Sequence, residues 1–268
     1  MITASIVTYH TDSDELDRCL SALSGSGAER IWVIDNAASD ATASQCALHP
    51  RISYRQAPNP GYGAAHNIAI REALRSGTDF HLVLNTDVRF SPDTLSVLAA
   101  YMQRNPDVGC VQPRIVNPDG SLQYTVRMLP TPLDLILRRF LPASWMKHRR
   151  ELYELHHIDH SRPFNVPYHQ GSFMMLRAEA LRSVGLFDER FFMYPEDIDL
   201  TRRIHRLYHT MYIPDATVIH DHRAASYHGT RMLRIHVANM IRYFNKWGWF
   251  FDPERRRFNS PLKQATAH

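Results

Sequence analysis

The chain is 268 residues long, with 44% hydrophobic residues, 22% charged residues and a formal charge of +4. Such a chain can bury a sizeable core in one large α/β domain, or in one domain with an appendage, and it is no disordered polyampholyte. It contains no run of about 18 apolar residues for a membrane-spanning helix, and its charge is too weak to argue for nucleic acid as a partner.

Ile2 to Tyr9 (ITASIVTY) is short and β-branched and predicts a buried strand. The same segment lacks a basic region, an apolar block and a small-residue cleavage site, so it is not read as a signal peptide. Asp12 or Ser13 can cap a helix that places Leu16, Leu20 and Leu23 on one face. Arg30 to Asp35 (RIWVID) predicts a second strand, ending in an acid followed by Asn36, and Ile52 to Tyr54 a third. A turn over residues 59–63 (NPGYG) leads into a helix from Ala64 to Arg75. Phe80 to Leu84 (FHLVL) predicts a fourth strand, followed by Asn85-Thr86-Asp87. Ser91 is expected to cap the next helix, with Pro92 at its first position, before a fifth strand from Val108 to Gln112.

From about residue 118 to 168 the pattern loosens into a segment rich in Pro, Arg and His that includes Lys147-His148-Arg149-Arg150. It reads as an insertion or lid rather than a second core. Periodicity returns with a strand from Gly171 to Leu176, a short helix from Ala178 to Ser183 and a helix from Glu196 to Leu207. A strand from Thr217 to Ile219 ends at His220-Asp221-His222, a last helix spans Thr230 to Lys246, and the polar tail after Phe258 is expected to fray. Alternating strands and helices indicate βα units and a largely parallel sheet, whose chemistry sits at the carboxyl ends of its strands. Tyr9, Asp35 and Asp87 all fall at or just beyond such ends. Three widely spaced cysteines, Cys19, Cys46 and Cys110, form neither a disulfide framework nor a zinc site and suit a reducing cytoplasm.

Four constellations could carry chemistry. Asp87, in the turn after a buried strand, can reach Mg²⁺ or Mn²⁺, although Asn and Asp are also common turn residues. Tyr194-Pro195-Glu196-Asp197-Ile198-Asp199 packs three carboxylates into four positions, with Glu196 and Asp199 on one helical face and Asp197 pointing elsewhere. A helix dipole favours acids there in any case. The preceding Phe191-Phe192-Met193-Tyr194 would desolvate them, raise their pKa and so suit a general base. His220 and His222 on an extended segment point the same way, as a metal requires, though with 16 histidines a chance pair is also expected. Asn59 to Asn67 (NPGYGAAHN) is neither GxGxxG nor a P-loop, which argues against a dinucleotide fold.

Taken together and in this order, the motifs resemble those of family 2 glycosyltransferases of the GT-A fold, especially the rhamnosyltransferase-like members that build bacterial surface polysaccharides. The matching stretches are Ser5 to Tyr9, Val33 to Asp40, Asn59 to Asn67, Leu84 to Val88, Gly171 to Met175, Gly185 to Leu200, and His220 to Ser226. The resemblance implies a Rossmann-like, mostly parallel central sheet flanked by helices, with an inserted lid region and a C-terminal helical extension. The catalytic domain would span residues 1–228 and the extension residues 229–268.

By the same resemblance, Thr8 and Asp35 hold the nucleotide base, with Asp35 accepting the imide N–H of uracil or thymine. Asn36 and Asn67 frame the nucleoside, and Asn85 opens the metal motif, where Asp is usual. Asp87 and His220 are the metal ligands, with His222 the fallback. Gly171 is a tight backbone position near the donor sugar. Asp197 is the catalytic base of an inverting displacement, and Glu196 and Asp199 position the acceptor or the helix. His10 stands where the family usually has Asn. The implied cofactor is Mg²⁺ or Mn²⁺. The implied partners are a dTDP- or UDP-linked sugar donor, dTDP-rhamnose first, and a glycan or polyprenyl-linked acceptor.

The last helix places Leu233, Val237, Met240, Ile241 and Phe244 on one stripe and Arg231, Arg234, Arg242 and Lys246 opposite. Trp247, Trp249, Phe250, Phe251 and Arg255 to Arg257 follow. This reads as a core-packed helix, or as peripheral contact with an anionic membrane on the inner face of the plasma membrane. The competing functions are a sugar-nucleotide or glycan binder without turnover, a nucleotidyltransferase on a related sheet, and a zinc hydrolase built on His156, His157, His160, His220 and His222.

Overall fold

The computed structural model describes residues 1–136, 141, 143–221 and 230–265. Its elements in chain order are β1 (Ile2–Thr8), α1 (Ser13–Gly25), β2 (Arg30–Asp35), α2 (Asp40–Ala47), β3 (Ile52–Gln56), α3 (Tyr62–Arg75), β4 (Phe80–Leu84), β5 (Val88–Phe90), α4 (Thr94–Arg104) and β6 (Val108–Val116). They continue with β7 (Val126–Arg127), α5 (Pro132–Leu135), α6 (Ala143–Tyr153), β8 (Phe164–Asn165), β9 (Tyr168–His169), β10 (Phe173–Arg177), α7 (Ala178–Val184), α8 (Glu196–His205), β11 (His209–His220), α9 (Thr230–Trp247) and α10 (Pro253–Gln264).

Among the described residues one mixed sheet runs β3-β2-β1-β4-β10-β6-β11-β5, with β8 on β11. Strands β3, β2, β1 and β4 are parallel, as are β6 and β11. The mostly apolar runs of β2 and β4 sit inside this sheet, where both faces are covered, whereas the half-polar β3 takes the edge. Asp12 caps α1, accepting from the Asp14 and Glu15 N–H groups, and the Leu16, Cys19, Leu20 and Leu23 face is buried against the sheet.

Four elements differ from expectation for local reasons. Helix α2 was not predicted; its sequence is polar and buries only Thr42 and Cys46. Ser91 does not cap α4: its backbone carbonyl closes a turn onto the Thr94 N–H, and the helix begins there, behind Asp93. Strand β11 starts eight residues before Thr217, because Pro214 and an irregularity between Ile213 and Thr217 break its alternation. While residues 266–268 of the tail lie outside the described residues, residues 259–264 are not frayed but lie in α10, capped by Asp252. Asn259 there accepts from the Leu129 N–H (2.8 Å) and donates to the Leu129 carbonyl (2.9 Å).

The insertion is likewise more than a lid. Val126, Met128, Leu129, Leu135, Tyr153, Leu155, Val166 and Tyr168 share one hydrophobic core with Phe191 and Ile198 and with Met240, Tyr243, Phe244 and Leu262 of the C-terminal helices. Neither segment has enough apolar surface to close a core alone, so each covers the other. A buried Arg202 on α8 locks this unit, donating to both oxygens of Asp252 (2.8 and 2.6 Å) and to Glu254 (2.8 Å). Its guanidinium lies 4.1 Å from the Trp247 ring.

Candidate active site

Antiparallel pairing of β11 with β5 sets His220 opposite Val88, and the Asp221 N–H donates to the Asp87 carbonyl (2.9 Å). The register therefore brings the two sequence-distant metal candidates together: His220 Nε2 lies 3.2 Å from Asp87 Oδ1. Gln123 orients the ring. Its amide nitrogen donates to Asn117 Oδ1 (2.6 Å) and to the His220 carbonyl (2.7 Å), which turns Oε1 towards His220 Nδ1 at 2.9 Å. Nδ1 then carries a hydrogen towards Gln123, and Nε2 is the ring atom turned to Asp87. Among the described residues no group of three or more His, Cys, Asp or Glu converges as a metal cage. One carboxylate and one imidazole fit a hard divalent ion that takes its remaining ligands from phosphate and water. His222, and residues 223–226 of the same motif, lie outside the described residues.

Across from this pair, Asp197 opens α8. Its Oδ2 accepts from the Gly171 N–H (3.0 Å) and its Oδ1 from the Ile198 N–H (2.7 Å). Burial pushes the Asp197 carboxyl up to about 7, against the pull of those two donors. Burial, and then the charge of Asp197, also raise Glu196 well above the carboxylate range, and Glu196 Oε2 has no hydrogen-bond partner. Just before them Tyr194 is held at φ 92°, a left-handed conformation costly for an aromatic residue.

Tyr62 joins the two ends. Its hydroxyl lies 2.7 Å from the Gly171 carbonyl and 3.1 Å from Asn85 Oδ1. Burial keeps that hydroxyl un-ionised, helped by the acidic groups around it, Asp197 and Asp87 among them. A Cβ on Gly171 would stand 3.2 Å from the Tyr62 ring and in ordinary contact, 3.7 Å, with the Asp197 Cβ, so a side chain there would press on Tyr62. Gly61, which starts α3, has φ 104°, and a Cβ there would fall 2.4 Å from the Phe192 carbonyl oxygen. Only glycine lets α3 approach the segment carrying the acids.

At the nucleotide end the structure corrects the expected contacts. Asp35 is fully buried. Its Oδ1 accepts from Thr8 Oγ1 (3.1 Å) and the Ala37 N–H (3.0 Å), and its Oδ2 from the Ser39 N–H (2.7 Å) and the Tyr54 hydroxyl (2.9 Å). Burial opposes its ionisation, but these donors outweigh burial and hold the carboxyl below its usual range. With four donors in place Asp35 has no lone pair for a base imide, and the Thr8 hydroxyl is spent on Asp35; both organise the loop. Asn67 is also turned inward, accepting from the Phe187 N–H (3.0 Å) and donating to the Phe187 carbonyl (2.9 Å) and Glu189 (3.0 Å). Asn36 is the half-buried polar group left: its Nδ2 donates to Asn59 (3.3 Å) and its Oδ1 has no partner.

Asp199 is fully buried on another face of α8. Its Oδ2 accepts from Arg203 (2.8 Å), and its Oδ1 from Trp247 (2.8 Å) and Lys246 (2.6 Å). Its contacts hold α8 to α9 and leave it none for an acceptor. Sequence reasoning did not single out Tyr62 or Gln123. Tyr62 stood inside a recognised motif, next to the glycines, and its position was the available signal. Gln123 carried no signal, because its partners lie on a different strand.

This geometry accompanies clear similarities. Residues 3–185 match the family model described as Glycosyl transferase family 2. Over 236 residues the chain is 33% identical to the N-acetylglucosaminyl-diphospho-decaprenol L-rhamnosyltransferase of Mycobacterium tuberculosis (strain ATCC 25618 / H37Rv), covering 82% of this chain and 75% of that one. Rhamnosyltransferase WbbL of Escherichia coli (strain K12) is 28% identical over 250 residues, 89% of this chain and 90% of that one. In fold the chain is similar to GalNAc-T7, solved with UDP, GalNAc and Mn²⁺ (TM-score 0.65, 15% identity), spanning 98% of this chain but only 51% of that one. It is also similar to the mannosyltransferase PcManGT from Pyrobaculum calidifontis, solved with GDP-Man and Mn²⁺ (TM-score 0.59, 17% identity, 97% and 73% covered). With its mixed sheet and its acids gathered at one end of that sheet, the chain belongs to glycosyl transferase family 2, on the GT-A fold.

Proposed function

We propose that this glycosyltransferase is an inverting, metal-dependent enzyme. It moves a sugar from a pyrimidine nucleoside diphosphate, dTDP-rhamnose first, to a hydroxyl of a polyprenyl-diphosphate-linked glycan in bacterial surface polysaccharide synthesis. The observation that carries this reading is the meeting of two unlike sites around Tyr62 and Gly171: the Asp87–His220 pair on one side, and the buried Asp197 carboxyl on the other. Asp197 takes the proton of the acceptor hydroxyl as that oxygen bonds to the anomeric carbon and the bond from that carbon to the diphosphate oxygen breaks. A Mg²⁺ or Mn²⁺ held by Asp87 and His220 would neutralise the charge gathering on the departing diphosphate. Gly171 leaves room for the donor sugar beside Tyr62, and Asn36 takes over the base contact first expected of Asp35. Glu196, neutral beside Asp197, keeps a second negative charge out of the site. The relatives named for rhamnosyl transfer support the donor and the lipid-linked acceptor.

No helix among the described residues is long and apolar enough to cross a membrane. Of the α9 stripe Met240 and Phe244 are buried in the core while Leu233 and Ile241 are exposed, and Phe250 and Phe251, 76% and 85% exposed, lie between α9 and α10, before the exposed Arg256 and Arg257. This tip suits peripheral contact with an anionic inner membrane face. The test of the reaction is transfer of labelled sugar from dTDP-rhamnose and from UDP-sugars, with Mn²⁺ and with chelator, followed by determination of the product's anomeric configuration. Metal-independent transfer, or retention of configuration, overturns the mechanism. Unchanged co-sedimentation with anionic vesicles after Phe250→Ser and Phe251→Ser removes the membrane contact.

A further inference from the structure

A cavity of about 1060 Å³ opens between the main sheet and the inserted segment, walled by His220, Gln123, Gln170, Arg127, Lys147 and Arg150. Its acids are matched: Asp134 with Arg149 (2.7 Å), Glu154 with Arg150 (3.1 Å) and Glu151 with Lys147 (4.0 Å). Arg127 is different. Its Nε donates to the Tyr124 carbonyl (3.0 Å), and its guanidinium lies 6.0 and 5.9 Å from the Tyr153 and Tyr168 rings. Among the described residues no carboxylate pairs with it. Both terminal nitrogens, with four N–H donors, have no hydrogen-bond acceptor there, and neither is sealed from the cavity. A rigid, always charged fork braced by two aromatic rings and left without an anion is built to receive one.

Its place in the chain says which anion. Arg127 pairs with Tyr168 across the β7–β9 ribbon, the Gln170 N–H donates to the Thr125 carbonyl (3.1 Å), and the next residue, Gly171, donates to Asp197. The ribbon register thus sets Arg127 beside the segment that runs into the Gly171–Asp197 contact. A sugar held through a phosphate on Arg127 would offer its hydroxyl to the base. We propose that Arg127 is the anchor of an acceptor subsite and binds the phosphate that joins the acceptor sugar to its lipid carrier, setting the sugar hydroxyl at Asp197. The proposal rests on the glycosyltransferase reading above and adds to it the residue that holds the acceptor's phosphate.

The test is calorimetric binding to the full chain, without divalent metal, of octyl diphospho-N-acetylglucosamine, of the phosphate-free octyl N-acetylglucosaminide and of inorganic pyrophosphate. Wild-type protein should bind the diphosphate glycolipid at least tenfold more tightly than either other probe. Arg127→Gln should remove about tenfold to a hundredfold of that affinity, and Arg127→Lys should restore part of it. Both variants should keep the wild-type melting temperature and wild-type affinity for dTDP with Mn²⁺. Equal binding of the two octyl sugars, or a loss confined to dTDP in Arg127→Gln, overturns the proposal; the second result would place Arg127 on the donor. Pyrophosphate binding as tight as the glycolipid's overturns the acceptor assignment in favour of a free-phosphate site. Binding as expected with no turnover by wild-type protein sinks the catalytic reading and leaves the subsite standing.

Discussion

Asp35 and Asp197 are the same residue type, each buried beside a loop at the edge of the cleft, and they ionise in opposite directions. Asp35, 0% exposed, is held below the usual carboxylate range, whereas Asp197, 7% exposed, is pushed up to about 7. Desolvation opposes both charges; it prevails at Asp197, and hydrogen-bond supply prevails at Asp35. Asp35 receives four hydrogen bonds, from Thr8, Ala37, Ser39 and Tyr54, whereas Asp197 receives two backbone N–H groups and has Glu196 beside it. A buried carboxylate with every lone pair engaged is part of the scaffold; one whose burial outweighs its donors is poised to take a proton.

The strongest way to break this comparison is Asp197→Asn. Transfer should fall by about 10²–10⁴-fold, with dTDP affinity unchanged by calorimetry; turnover near wild type removes Asp197 as the base. The wild-type rate should also rise with pH through about 7, as the carboxyl loses its proton. Asp35→Asn should act on the fold instead. Losing a buried charge with four donors should cost about 2–4 kcal/mol in denaturant unfolding. The Asp35 pKa is lowered by folding, so its contribution is full at neutral pH and lost as pH falls through the folded value; that acid-side loss should be absent from the variant.

Gln123→Leu sharpens the picture at the metal end. Freed from Oε1, the His220 ring loses its fixed tautomer, and Mn²⁺-dependent nucleotide affinity should drop about tenfold with metal-free affinity unchanged. The smallest effect is expected for Glu196→Gln. Folding raises the Glu196 pKa, so the wild type is most stable at low pH and loses that stability as pH rises through the folded value. The glutamine variant should therefore melt higher than wild type at pH 8.5 and at the same temperature at pH 4; a lower melting temperature at pH 8.5 would show that Glu196 is stabilised as an anion.

Much of the fold was legible because local signals agree with their surroundings. The runs FHLVL and RIWVID need a sheet covered on both faces, and β4 and β2 have one. Residues such as Asp87, Asp197 and His220 were legible as candidates because motif acids and imidazoles at element ends are conspicuous in one dimension. The direction in which Asp35, Asn67 and Asp199 point was not. Their partners include Tyr54, Phe187 and Trp247, far away along the chain, and only folding decides which lone pairs remain free. The C-terminal tail misled for a related reason: its polar sequence hides Asn259 and Leu262, whose partners belong to the insertion.

By itself, then, the sequence determined the alternation of strands and helices, the family, and the set of acids and imidazoles from which a site could be made. Those follow from side-chain periodicity and residue chemistry, which are properties of neighbours along the chain. The tertiary structure alone decided that Asp87 meets His220, that Asp35 is sealed while Asp197 is under-donated, and that Arg127 faces a cavity without an anion. Register, burial and hydrogen-bond supply are set by residues distant in sequence, and they turn one carboxylate into scaffold and another into a base.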